Sequence, residues 1–295
     1  MNDVTWTTPE GKERRLEFAE HWNELSRAQL LYIAGEWQTW RQVLTHYHDS
    51  IIYFQIKLLF VLGNIKSWNF LSRKRNALFS ILPSRREYLR NSETEEFMER
   101  YEHLPRILKL TEFIIGSPVY LTKNRFPQIR AGQFTLHGPS DELSSSVFKE
   151  FVFVDSYFIA WLNTQKVELL DEMVAMLYRP AGNVDVLSKD YLGDQRAPFN
   201  NMAYDKWLPS VKKLPLNIKT AIALFYQGCR QNFEQKYPEV FTSAEDRGGG
   251  NEGWFQVLSE LPAEKFGTIS EREYAPLDTV FSELRRIINA YHNKE

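Results

Sequence analysis

The residue types that could do chemistry in this chain are few and poorly grouped. His46, His48 and Asp49 invite a metal reading, but side chains two apart on a helix do not face each other. No HExxH or Glu-x-x-His pattern accompanies them, so His48 reads as part of a helix's inner face and His46 as solvated. Glu99 and His103 stand at i,i+4 and could share a metal. With Glu95, Glu96 and Glu102 beside them they read instead as an exposed acidic face. Cys229, the lone cysteine, falls on the apolar stripe of Ile222 and Phe225, which marks a buried structural thiol rather than a nucleophile beside a base. Gly248-Gly249-Gly250 leads into no Gly-Lys-Ser or Gly-Lys-Thr and follows no strand-like run, so it reads as linker and not as a phosphate loop.

Asp155 is the exception. It lies midway along an apolar stripe made by Phe148, Phe151, Val152, Phe158, Ile159 and Leu162. A carboxylate there is either buried with a partner or faces a pocket. We expect the first, with Arg179 or Arg230 as the partner, and therefore a structural acid rather than a catalytic one. No residue is assigned a catalytic, metal or cofactor role, and a non-enzymatic protein without cofactors is expected.

Two features raise nucleic acid as the rival class. The basic residues Arg73, Lys74, Arg75, Arg85, Arg86 and Arg90, with Phe79 and Tyr88 interleaved, could follow a phosphate backbone, although a solvated basic face is the plainer reading. Residues 263–270 look like the turn of a helix-turn-helix. Glu273 then stands where an apolar residue is wanted, and Pro276 would break a recognition helix. The formal net charge of −2 and a pI near 6.4 make no electrostatic case for the whole chain.

The elements that must position these residues are mainly helical. Eight tryptophans, fourteen tyrosines and twenty phenylalanines fall largely on helix-spaced patterns. Ser26 and Gln29 make a capping box before a helix through Leu30, Ile33, Trp37 and Leu44. Asp49 can cap a helix over 51–62 ending at Gly63, and that stretch, only twelve residues with Gln55 and Lys57 inside, is far below the ~20 needed to span a bilayer. Further helical faces run through Val167, Leu170, Val174 and Leu177, with Pro180 as the stop, and through Ile218, Ile222, Phe225, Cys229 and Phe233. The last helix, opened by Pro276, is the cleanest amphipathic segment. Residues 119–121 and 133–136 suggest the two strands of a small hairpin, and residues 180–210 a polar connector too long for a plain loop. The polar, charged residues 1–20 do not read as a secretory signal, and one cysteine precludes an intrachain disulfide.

Two segments look familiar. Trp22-Asn23-Glu24-Leu25-Ser26 with Gln29-Leu30-Leu31, and Gly253-Trp254-Phe255-Gln256-Val257-Leu258 leading into Lys265-Phe266-Gly267, resemble uncharacterised proteins of phage and prophage tail-gene regions, as does the run through Phe199, Leu224-Phe225-Tyr226 and Gly228-Cys229-Arg230. The resemblance implies tail or virion assembly through contacts with other phage proteins, in the host cytoplasm or on the virion, and brings no catalytic residues. Trp254, Phe255, Phe281 and Tyr291 are then the expected partner-binding aromatics.

The expected architecture is mainly α: an irregular multi-helix bundle with a small β-hairpin excursion near 115–137. It divides into a helical body over 1–242 with a β/loop arm at about 104–139, a Gly-rich linker at 243–253, and a C-terminal helical hairpin over 254–295. No membrane partner is expected, and nucleic acid is possible but not favoured.

Overall fold

The computed structural model describes residues 2–7, 11, 13–44, 48–65, 78, 81–116, 118–183, 193–246, 253–254, 256–257 and 261–292. It is mainly helical with two small sheets, and it divides into two units, Met1–Val119 and Tyr120–Glu295. No described helix is long and apolar enough to cross a membrane.

The first unit opens with β1 (Asn2–Thr7) and β2 (Glu13–Phe18), antiparallel with Val4 opposite Leu16. Leu16 and Phe18 are buried while Glu13, Arg15 and Glu17 are exposed, the period of two that a half-buried strand requires. Helix α1 (Arg27–Leu44) starts at a reciprocal capping box, with the Ser26 N–H donating to Gln29 Oε1 at 2.7 Å and the Gln29 N–H to Ser26 Oγ at 3.3 Å. Gln29 has a second task. Its Nε2 donates to the carbonyls of Val61 at 3.1 Å and Leu62 at 2.9 Å, two of the orphan acceptors at the end of α2 (His48–Leu62). One side chain therefore fastens the start of one helix to the end of the next.

Helix α2 begins before Asp49, which lies in its first turn instead of capping it. Its end is also one residue later in logic than expected. Asn64, at φ 51°, takes the left-handed position, and the Ile65 N–H reaches Phe60 O while the Asn64 N–H reaches Val61 O, the paired bonds of a Schellman motif. Gly63 lets the chain pass close to the hairpin: a Cβ there would stand 3.1 Å from Phe18 Cε1, a tight approach. In this unit's core, Trp22 is 1% exposed and donates to Phe113 O at 2.8 Å, with edge contacts to Trp37 and Phe113. Short helices follow: α3 (Arg85–Asn91) capped by Ser84, α4 (Glu95–Arg100) capped by Thr94, and α5 (Leu104–Leu108), which carries Pro105 in its first turn instead of a side-chain cap.

In the second unit, β3 (Gln128–Ala131) and β4 (Phe134–His137) form a hairpin around Gly132, and the two-residue β5 (Arg179–Pro180) adds a third strand. The hairpin lies inside the expected 115–137 excursion, but residues 119–121 are not its strand. Leu121 is instead pressed against helix α8 (Leu216–Lys236) at Gly228, where a Cβ would stand 2.4 Å from Leu121 O. The expected arm at 104–139 is accordingly two things: helical turns through residue 115 in the first unit, and the hairpin in the second.

Helices α6 (Phe148–Thr164) and α7 (Val167–Leu177) make a tight antiparallel pair, turned by Gln165 in a left-handed conformation at φ 57°. Helix α8, then α9 (Pro238–Asp246) and α10 (Leu277–His292), complete the body. The C-terminal segment, expected as a separate hairpin behind a linker, packs into the second unit's core. Phe281 of α10 sits among Phe148, Phe151, Phe233, Phe241 and Trp254 with ring centroids 5.3–6.1 Å away. The backbone joins in, with the Phe148 N–H donating to Ala275 O and the Leu277 N–H to Ser146 O. Helix α9 extends through Asp246 into the expected linker, whose glycines 248–250 lie outside the described residues.

Candidate functional site

Asp155 is 2% exposed, and both of its oxygens are occupied. Helix α6 carries it toward α8, from which Arg230 Nε donates to Oδ1 at 2.7 Å and the Tyr226 hydroxyl to the same oxygen at 3.1 Å. Trp254 Nε1 donates to Oδ2 at 3.2 Å. The partner is thus Arg230, and Arg179 lies elsewhere. Burial pushes the Tyr226 hydroxyl well above its ordinary pKa, and the neighbouring Asp155 charge adds to that. For Arg230 burial works against the charge, but Asp155 outweighs it and holds the guanidinium above its usual value. These three donors tie the Asp155 carboxylate of α6 to α8 and to Trp254.

A second buried cluster draws the polar connector expected at 180–210 onto α6 and β5. Glu150 of α6 meets two guanidiniums: Arg179 of β5, at 3.0 Å, and Arg196, which forms a close ion pair with the same oxygen, Oε1. Arg196 also clasps Asp194 through Nε and Nη2, the shortest contact being 2.7 Å, and donates to Leu177 O at 2.8 Å. Its side chain is fully enclosed. Burial pushes the Arg179 guanidinium below its ordinary pKa, whereas Glu150 and Asp194 overcome the same burial at Arg196 and hold it above. Two cations face two anions, so the group is neutral overall and fully bonded. A third buried pair, Lys219 on α8 to Asp171 on α7 at 2.6 Å, has the same character. No local signal predicts such pairs, because Glu150 and Arg196 are far apart in sequence.

The remaining candidates are placed as follows. Cys229 is buried, and burial raises its thiol well above the ordinary range. Trp254 and Phe281 are 3% and 0% exposed, so these two expected partner anchors are core residues. Phe255 and the side chain of Tyr291 lie outside the described residues. So do Arg73, Lys74, Arg75 and the side chain of Arg85. Arg86 and Arg90 are exposed on α3. Glu87 lies between them in sequence and pairs with Arg100 at 3.2 Å, so one acidic side chain interrupts the described part of the basic stretch. The side chains of His46, His48 and Asp49 also lie outside the described residues, while His103 Nε2 contacts Ile81 O at 2.7 Å and Glu99 is exposed.

The helix-turn-helix lookalike resolves into two short helices, Ala263–Phe266 and Ile269–Glu273. Thr268 and Glu271 form a capping box for the second, and Glu273 is bonded to Lys149 at 2.7 Å. Large apolar side chains do stand outside: Leu89 on α3, Met98 on α4 and Met202 are 54%, 56% and 75% exposed. A polar cavity of about 360 Å³ lies beside the β3–β4 hairpin. Among the described residues no group of histidine, cysteine and carboxylate side chains is arranged to hold a metal ion. Comparison with family models, curated proteins and solved structures gives no match.

Proposed function

We propose that this chain is a non-enzymatic structural or assembly protein that acts through protein–protein contacts, in the manner implied by its resemblance to phage tail-region proteins. The observation that carries the reading is the state of Asp155. The carboxylate best placed in the sequence for chemistry is spent on Arg230, Tyr226 and Trp254, and Glu150 and Asp171 are likewise neutralised by buried cations. The polar interior of the second unit is built for rigidity, which suits a part that must present a fixed surface to neighbours.

The contacts themselves belong to side chains held outward. Leu89 and Met98, on helices whose first turns are capped by Ser84 and Thr94, supply exposed apolar area. The partners on this reading are other particle or assembly proteins, met in the host cytoplasm or on the virion. Affinity capture of the tagged full chain from its native host, with and without nuclease, tests it. The expected result is a set of co-captured proteins unchanged by nuclease. Capture dominated by nuclease-sensitive complexes overturns the reading in favour of phosphate contacts by Arg86, Arg90 and the basic residues before them.

A further inference from the structure

The cavity beside the β3–β4 hairpin is walled by two stretches of backbone, each locked by unusual means. Gln128 and His137 stand on one wall as cross-strand partners, their Nε2 atoms 3.3 Å apart. The strand end beyond them is clamped: the Gly138 N–H donates to Pro127 O, and a Cβ at Gly138 would stand 2.5 Å from Tyr178 Cζ. Tyr178 in turn donates its hydroxyl to Phe126 O at 2.8 Å, and Asn124 Nδ2 holds Pro139 O at 2.8 Å.

The second wall is the segment carrying Gly193 and Gln195. Its backbone pairs with residues 180–182, through the Gly182 N–H to Gln195 O and the Ala197 N–H to Pro180 O. Extended chain alternates its sides. Asp194 and Arg196 are turned into the buried cluster with Glu150, while Gly193 and Gln195 line the cavity. The ionic cluster thereby fixes one wall of the cavity.

The lining states what would fit. Among its described residues there is no carboxylate, ammonium or guanidinium; of the charges next to it in sequence, Asp194 and Arg196 neutralise each other, and Asp141 accepts the Asn124 N–H at 2.7 Å. A charged ligand would meet no counter-charge among these described lining residues. A wholly apolar one would strip water from two carboxamides and an imidazole without replacing its hydrogen bonds. Gln128, Gln195, His137 and Ser140 together offer donors and acceptors side by side, the pattern that adjacent hydroxyl groups satisfy. The volume of about 360 Å³ lies at the small end of the roughly 300–1,000 Å³ typical of small-molecule sites. We infer that this cavity binds a small uncharged polyhydroxylated molecule, of the chemical class of a neutral sugar, through Gln128, His137 and Gln195. The inference stands independently of the assembly reading.

The test is a titration of the isotopically labelled full chain, followed by NMR, with glucose, galactose and N-acetylglucosamine, and with glucuronate and glucosamine as charged controls. The expected result is saturable millimolar binding of at least one neutral sugar, with shifts confined to residues 127–140 and 193–197. Replacing both glutamines (Gln128→Ala with Gln195→Ala) should weaken it about tenfold while the rest of the spectrum is unchanged. Should that pair fail to fold, His137→Ala serves in its place. No saturable shift with any neutral sugar, shifts elsewhere, tighter binding of a charged control, or unaltered affinity in a folded variant each overturns the inference.

Discussion

Replacing Asp155 with alanine separates a structural acid from a reactive one. The substitution removes the acceptor of three donors at once: Arg230 Nε, the Tyr226 hydroxyl and Trp254 Nε1. Each buried donor left without a partner costs ~1–3 kcal/mol, and breaking a buried ion pair from one side costs ~3–5 kcal/mol. These figures overlap and do not add. Arg230 is 13% exposed, retains Glu234 at 3.1 Å and lies over the Phe241 ring, so part of its loss is recovered by turning toward water. The low end, ~3 kcal/mol, is therefore expected, or a fall of about 6–12 °C in Tm at ~2–4 °C per kcal/mol. Asp155→Asn should be milder, ~1–2 kcal/mol, because an amide oxygen can still accept from Arg230 while the amide nitrogen opposes the Trp254 N–H. The double variant Asp155→Leu with Arg230→Met should be more stable than Asp155→Ala alone. Urea unfolding followed by tryptophan fluorescence measures all three. An Asp155→Ala variant within ~0.5 kcal/mol of the parent would refute the reasoning.

Other consequences are equally direct. Gly228→Ala sets a Cβ 2.4 Å from Leu121 O and 2.5 Å from Leu121 N, backbone atoms that cannot swing aside, so a loss of ~1–3 kcal/mol or more is expected in the same unfolding assay. Arg286 and Lys265 hold the Glu283 carboxyl down at about 2 from an ordinary 4.5. Its contribution to stability is complete above pH 4.5 and disappears as pH falls toward 2. Denaturation at a series of pH values should find Glu283→Gln losing less stability than the parent across that window, and an identical slope would contradict this. Cys229, buried and with its thiol pushed up, should react with a thiol reagent slowly in the native protein and promptly in urea.

What was legible in the sequence was mostly local. The capping box at Ser26 and Gln29 is three residues long, and its geometry follows from the helix itself. The phase of α6 puts Asp155 on an inner face, whereas the choice between Arg179 and Arg230 as its partner depends on how α8 packs. Contacts between distant segments were not legible. Arg196 looked like a loop residue because nothing near it in sequence announces Glu150. Residues 119–121 alternate like a strand, yet Leu121 is occupied by its contact with Gly228, and the hairpin pairs Gln128–Ala131 instead. The β1–β2 pair was hidden in a charged segment whose alternation of Leu16 and Phe18 with charged neighbours is clear once the strands are known. Trp254 and Phe281 resemble anchors for a partner in the sequence, because an amphipathic stripe looks alike whether it faces its own core or another chain.

The proposal of function rests on outward apolar side chains meeting another protein. Its most direct test is a quantitative comparison, by mass spectrometry, of what the parent and the double variant Leu89→Asp with Met98→Asp capture from the native host in the presence of nuclease. Both side chains are more than half exposed, so the variant should keep its fold and its circular dichroism. The account predicts that a defined set of proteins, retained by the parent through nuclease treatment, is depleted at least tenfold with the variant. Equal capture by a folded variant, or a parent that holds no protein once nucleic acid is removed, would contradict it.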